Sequence, residues 1–325
     1  MKSKVDSEEV IFFNQKLKFS GTLYLPQGNQ PGTAVVVIHP ASAGERTDPF
    51  YDHLKSELPM HGVAVLVFDR RGSGASEGDF ETADFEDLAG DVIAAVEYLQ
   101  SRSDLDPARI GLHGTSQGGW IAPIAAARKT DIAFLIAVSA CGVSPADQMD
   151  YGVEFHLKQD GYDEYVVRKA MELRRLVNAY FRGRVSREEV VAQLSHHEHE
   201  SWYEKAYLYP SKELPADITQ SKWYYEMDYE PLSVWQRVQQ PTLFLFAEVD
   251  EWVPVEQSMI NYERATTHLQ DITLKQIQGT DHLMRDEAGE ISQEYLSALI
   301  DWLTSRGVPN IRDIMSFSRR DAGAV

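Results

Sequence analysis

The sequence predicts an α/β chain: a doubly wound, mostly parallel eight-stranded sheet with a helical lid inserted into it. Three observations carry this expectation. From residue 33 onward, short continuous apolar runs alternate with helical patterns, as strands do in a parallel sheet covered on both faces. Ahead of them, two segments with polar residues at alternate positions read as an antiparallel hairpin. Between Ser144 and Pro231 the alternation breaks into a charged, helix-patterned stretch, far longer than a connection within a compact domain.

The elements follow in order. Residues 10–14 and 19–25 form the hairpin, expected at one edge of the sheet, and further strands are expected at 33–39, 63–68, 109–113, 132–139, 241–247 and 271–277. Helical periodicity falls at 49–60, 82–101, 117–128, 254–266 and 287–305. This divides the chain into a core of residues 10–143 and 232–306, a lid of residues 144–231 and a tail of residues 307–325. Helix signals in the lid span 148–159, 163–181 and 186–194, the last opening on the capping box Ser186-Arg187-Glu188-Glu189.

Composition narrows the class. A chain of 325 residues with 43% hydrophobic content can bury a large core. Its 31 basic and 50 acidic side chains give a net charge of −19, which disfavours nucleic acid and anionic membrane surfaces as partners. No apolar run approaches the roughly 18 residues that a bilayer span needs. The charged opening, Met1 to Glu9, has no apolar core of a signal peptide. Cys141 is the single cysteine and excludes an internal disulfide, so a cytoplasmic protein is expected.

The chemistry starts at Gly114-Thr115-Ser116-Gln117-Gly118, a G-x-S-x-G pentapeptide between an apolar run and a small-residue helical stretch. That is the strand, sharp turn and helix of a nucleophile elbow. A serine held in a strained turn leaves no room for Cβ atoms nearby, and Gly114, Gly118 and Gly119 supply that room. Such a serine needs an acid and then a histidine, in that chain order, each just after a strand. The run 241–247 leads into Glu248-Val249-Asp250-Glu251, where Asp250 is the expected acid ahead of its neighbours Glu248 and Glu251. The run 271–277 leads into Gln278-Gly279-Thr280-Asp281-His282, which places His282 as the base.

With these segments in view the chain resembles the α/β-hydrolase family. That family commonly carries His-Gly after its third strand, Asp-x-Arg-Gly-x-Gly-x-Ser after its fourth, the elbow after its fifth, Asp-x-x-Val-Pro after its seventh and Gly-x-x-His after its eighth. Here they read His39-Pro40, Asp69-Arg70-Arg71-Gly72-Ser73-Gly74-Ala75-Ser76, the elbow, Asp250 to Pro254, and Gly279 to His282. The resemblance covers about residues 10 to 142 and 232 to 305, and within the family it is greatest to bacterial serine hydrolases related to esterases and acyl-peptidases. It implies an oxyanion hole made by the N–H of Gln117 and a second donor. Pro40 stands where glycine is usual and has no N–H, so that donor is Ala41 or Ser42. Asp69, Gly72 and Gly74 read as scaffold rather than chemistry. Ala247 replaces a common glycine ahead of the acid.

The function expected is hydrolysis of a carboxylic ester through an acyl-enzyme, without cofactor or metal, on a small-molecule acyl ester or amide. A peptidase or amidase with an aminopeptidase-like pocket, a thioesterase, and a ligand-binding receptor of the same fold are the alternatives. Trp120, Trp223 and Tyr224 are the candidates for contacting the acyl group, since aromatics crowd the stretch from Trp202 to Trp235. The cluster His196-His197-Glu198-His199-Glu200 lacks a metal-ligand spacing and reads as a solvated helix end.

Overall fold

The computed structural model describes residues 5–26 and 32–306. The tail expected at 307–325 lies outside them. Eight strands form one sheet: β1 (Asp6–Asn14), β2 (Leu17–Leu25), β3 (Gly32–Ile38), β4 (Val63–Phe68), β5 (Leu105–Thr115), β6 (Leu135–Val138), β7 (Thr242–Ala247) and β8 (Ile272–Ile277). Their spatial order is β1-β2-β4-β3-β5-β6-β7-β8. The β1–β2 and β2–β4 pairs are antiparallel and every other pair is parallel. The hairpin therefore forms one edge, with Asn14 paired to Leu17 across its turn.

The burial pattern explains the strand sequences. Every residue of Val-Ala-Val-Leu-Val-Phe in β4 and of Thr-Leu-Phe-Leu-Phe-Ala in β7 is buried, because both strands are covered on two faces. One face packs against α1 (Asp52–Met60) and α10 (Gln293–Thr304), with Leu54, Leu58, Tyr295 and Leu299 in its core. The other packs against α2 (Phe85–Gln100), α3 (Gly118–Arg128), α8 (Pro231–Trp235) and α9 (Val255–Ala265), with Val92, Ile121, Trp235 and Tyr262 in its core. A buried ion pair ties the edge to this face: Arg71 Nε stands 2.6 Å from Asp91 Oδ2, and Asn14 of β1 donates to Asp91 Oδ1 at 2.8 Å.

Residues between β6 and β7 carry α4 (Pro145–Gln159), α5 (Glu164–Phe181), α6 (Arg187–His197) and α7 (Lys222–Glu226), with 3-10 turns between α6 and α7. They enclose an apolar core of their own, built on Val153, Leu157, Leu173, Phe181 and Leu194. Of the capping box expected at Ser186, the serine half is made, and two further helices are capped in the same way. Ser186 accepts from Glu189 N, as Ser144 does from Asp147 N and Asp163 from Val166 N.

Several boundaries differ from the periodicity. The helix expected at 287–305 begins only at Gln293, because 285–291 close on themselves through an Arg285–Ile291 bridge and Ser292 then caps the helix. The helix expected from residue 49 opens as a 3-10 turn, Pro49–Tyr51. The strand expected at 132–139 is trimmed to four residues, and that expected at 109–113 extends from Leu105 to Thr115. Trp235 belongs to the sheet core rather than to the inserted segment, with its ring 4.7 Å from that of Phe244. Among the described residues, no helix is long and apolar enough to cross a membrane.

Candidate active site

The turn from β5 into α3 sets Ser116 at φ 54°, in the left-handed region that a side chain with Cβ rarely adopts. Packing holds it there. Ser116 N donates to the Val138 carbonyl at 2.9 Å, and the Ser116 carbonyl accepts from Gly119 N at 2.8 Å. The turn is tight enough that a Cβ on Gly114 would stand 2.3 Å from the Gly118 carbonyl oxygen, and one on Gly118 would stand 2.6 Å from that of Ile38. Both contacts are with backbone, which cannot swing aside. Gln117 immediately precedes α3, where helix N–H groups have no intrahelical acceptor and the macrodipole is positive.

Asp250 follows β7 and is 2% exposed. Its Oδ1 accepts from the N–H groups of Trp252 and Val253, both at 2.8 Å. The same carboxylate faces His282 on the loop after β8, with Oδ1 and Oδ2 each 2.8 Å from His282 Nδ1. Burial opposes the charged imidazolium of His282, yet the hydrogen bond and charge of Asp250, with Glu251 and Asp281 beyond, hold its pKa above the ordinary value. The His282 backbone is fixed as well. Its carbonyl accepts from Ser139 Oγ at 2.7 Å, and its N–H donates to Glu251 Oε2 at 3.3 Å.

Ser116 and His282 line one cavity of about 470 Å³, together with Pro40, Ala41, Ser42, Gln117 and Trp120 from the core. The segment between β6 and β7 supplies Gln148, Met149, Tyr207, Trp223 and Glu226 to the same wall. Met149, Tyr207 and Trp223 are shared with an adjoining, mostly apolar cavity of about 480 Å³ inside that segment. Trp223 is oriented by its Nε1, which donates to Asn178 Oδ1 at 2.9 Å. Trp120 is fixed through Nε1 to the Cys141 carbonyl at 2.7 Å. The loop bearing Ala41 is tied down by Arg70, whose Nη1 donates to the Pro40 carbonyl at 3.2 Å while its guanidinium lies 3.5 Å above the Phe80 ring.

The structure brings Ser116, Gln117, Ala41, Ser42, Trp120, Trp223 and His282 to one cavity and sets Asp250 behind His282. It does not bring Tyr224. That ring is 36% exposed and packs edge-on against Tyr225, because α7 presents its 223 and 226 positions to the cavity and turns 224 away. Trp202 and Tyr203 are buried in the inserted segment's own core. Sequence reasoning also missed the contacts that bind this segment to the acid loop. Gln148 Nε2 donates to the Trp252 carbonyl at 2.9 Å, Tyr151 Oη donates to the Asp250 carbonyl at 3.0 Å, and the Trp252 ring fits against Gly152 of α4. Their only sequence signal was one face of α4. Among the described residues no group of side chains is arranged to hold a metal ion, and His196 and His197 lie at the end of α6.

The strained Ser116 turn after the fifth strand and the hydrogen-bonded Asp250–His282 pair after the seventh and eighth make up the candidate site. A model of the alpha/beta hydrolase family matches residues 35–294, and the chain belongs to that family. Thiohydrolase aneE of Aspergillus aculeatus is 35% identical over 124 residues, 38% of this chain and 37% of that protein. Human dipeptidyl peptidase 8 is 30% identical over 151 residues, 42% of this chain but 17% of the peptidase. The chain thus spans about a third or less of the length of such curated relatives. Over nearly the whole chain it is similar in fold to an esterase of Pyrococcus furiosus, with a TM-score of 0.64 and 16% identity, covering 93% of this chain and 91% of that one.

Proposed function

We propose that this protein is a serine hydrolase that cleaves a carboxylic ester through an acyl-enzyme. The observation that carries the reading is the Asp250–His282 pair, 2.8 Å apart, whose histidine lines the cavity that also holds Ser116 in its strained turn. Serine is a weak nucleophile at neutral pH, so His282 takes its proton during attack and returns it to the leaving alcohol. Asp250 holds the ring in the tautomer with a proton on Nδ1 and stabilises the imidazolium that forms. The N–H groups of Gln117 and Ala41 receive the developing oxyanion. Losing one such donor costs about 3 kcal/mol in the barrier.

In this reading residues 144–231 act as a lid over Ser116, supported by the cavity wall to which Gln148, Met149, Tyr207, Trp223 and Glu226 contribute. Residues 10–143 and 232–306 form the catalytic core, and the single cysteine suits a cytoplasmic location. The test is a panel of p-nitrophenyl esters of increasing acyl length, run beside aminoacyl-p-nitroanilides and acyl thioesters, on the wild type and on Ser116→Ala. Ester turnover that disappears with Ser116, together with fluorophosphonate labelling of the wild type alone, is the expected result. Full-rate ester hydrolysis by a folded Ser116→Ala protein removes the assignment, and faster anilide or thioester cleavage moves it to an amidase or thioesterase.

A further inference from the structure

Glu226 is a carboxylate where an ester pocket does not need one. It lies in α7, is 7% exposed, and lines the same cavity as Ser116 and His282. Its Oε1 forms a buried ion pair with Lys222, 2.9 Å from Nζ, and no further donor among the described residues reaches that oxygen. Lys222 is shared: its ammonium also donates to the carbonyls of Phe80 and Ala83 and lies 4.1 Å from the centre of the Phe80 ring. One ammonium divided among two carbonyls, a ring and the carboxylate compensates the buried Glu226 only in part, and a cation arriving in the cavity adds to that attraction.

The rest of the wall says which donor. Among the described residues lining the cavity there is no lysine or arginine, whereas the rings of Trp120, Tyr207, Trp223 and Trp252 all contribute to it. Aromatic faces around a carboxylate attract a cation and offer little to an anion. The chain's net charge of −19 favours entry of the same sign of ligand. Burial pushes the Glu226 carboxyl up to about 7, against the pull of Lys222 and with the push of Asp84 and Glu81, so an arriving cation also favours its ionised form. The acyl group is the part that stays through both steps of an acyl-enzyme reaction, whereas the alcohol must leave before water attacks. A nearly buried anchor suits the part that stays.

We propose that Glu226 selects substrates whose acyl group carries an ammonium, held between its carboxylate and the aromatic wall. The proposal rests on the ester-hydrolase reading above and names its substrate class. It is tested with the p-nitrophenyl ester of 6-aminohexanoate against that of heptanoate, which replaces the ammonium by a methyl of nearly the same size. The wild type is expected to favour the charged ester in kcat/KM by at least tenfold. That ratio falls to near one in Glu226→Gln and is partly kept in Glu226→Asp, and a ratio is insensitive to the fraction of variant that folds. Binding is read separately by calorimetry of hexylammonium and hexanol on Ser116→Ala protein, where hexylammonium binds at least tenfold more tightly and the difference disappears with Glu226→Gln. Ser116-dependent cleavage of both esters with no preference for the charged one overturns the role of Glu226 and leaves the hydrolase reading standing. Cleavage of neither ester, with hexylammonium bound through Glu226, overturns the hydrolase reading instead, and equal binding of the two probes overturns the Glu226 proposal without recourse to activity.

Discussion

Both carboxylate oxygens of Asp250 stand 2.8 Å from Nδ1 of His282, and the Oδ1 atom also accepts two backbone N–H groups from its own loop. The acid is therefore fixed by its own loop as well as by the histidine. Replacing Asp250 by Asn keeps the size and most of these contacts, but it can offer an N–H where Nδ1 needs an acceptor. We expect Asp250→Asn to lose about four orders of magnitude in kcat on an acetyl ester with a melting temperature near that of the wild type. Steady-state kinetics beside thermal unfolding checks it, and near-normal kcat in the variant removes Asp250 from the mechanism.

The pH profile follows from the same pair. In the proposed mechanism His282 must be neutral to accept the serine proton, and Asp250 with its acidic neighbours holds the imidazole pKa above the ordinary value of about 6.5. The kcat/KM for a neutral acetyl ester should then rise with pH along a limb centred above 6.5. Asp250→Asn removes the largest upward influence and leaves burial, which favours the neutral ring, opposed only by Glu251 and Asp281, so the His282 titration should shift to lower pH. Following the His282 ring by NMR in both proteins reads this directly, and an unmoved titration contradicts it.

Gly114 should tolerate no side chain. A Cβ there meets the Gly118 carbonyl oxygen at 2.3 Å, and the strand and helix on either side of the turn are both buried. Gly114→Ala is expected to lower stability by roughly 1–3 kcal/mol or more and to lower activity further by displacing Ser116. Chemical denaturation and ester turnover measured on the same preparation separate the two losses. Unchanged stability would mean that the turn is looser than this geometry.

Trp223 lines both the Ser116 cavity and its apolar neighbour, as Met149 and Tyr207 do. Trp223→Ala should therefore alter the preference among acyl lengths, favouring long chains that reach the adjoining space, while changing the acetyl ester rate far less. Each methylene is worth about 1–3 kcal/mol of discrimination in an apolar pocket. A p-nitrophenyl ester series from acetate to dodecanoate measures it. Tyr224→Ala, which removes a ring facing away from the cavity, is the control expected to leave the series unchanged.

Local sequence determined much of this protein. Continuous apolar runs such as those of β4 and β7 can be satisfied only by burial on two faces, and glycine at 114 is demanded by a turn that brings it against the Gly118 backbone; both requirements act over a few residues and are readable from them. The order Ser116, Asp250, His282 was legible for the same reason, since each follows its own strand. Which side chains of the inserted segment meet the cavity was not legible, because helix periodicity gives a buried face but not its partner. Trp223 and Glu226 point inward while Tyr224 points out, a choice made by how α7 docks on the turn at Phe80 and Ala83 through Lys222. The separation between Asp250 and His282, 32 residues apart in sequence and 2.8 Å apart in space, was likewise decided only when the two loops closed on the common end of β7 and β8. Packing over such distances is a property of the assembled sheet and not of either segment alone.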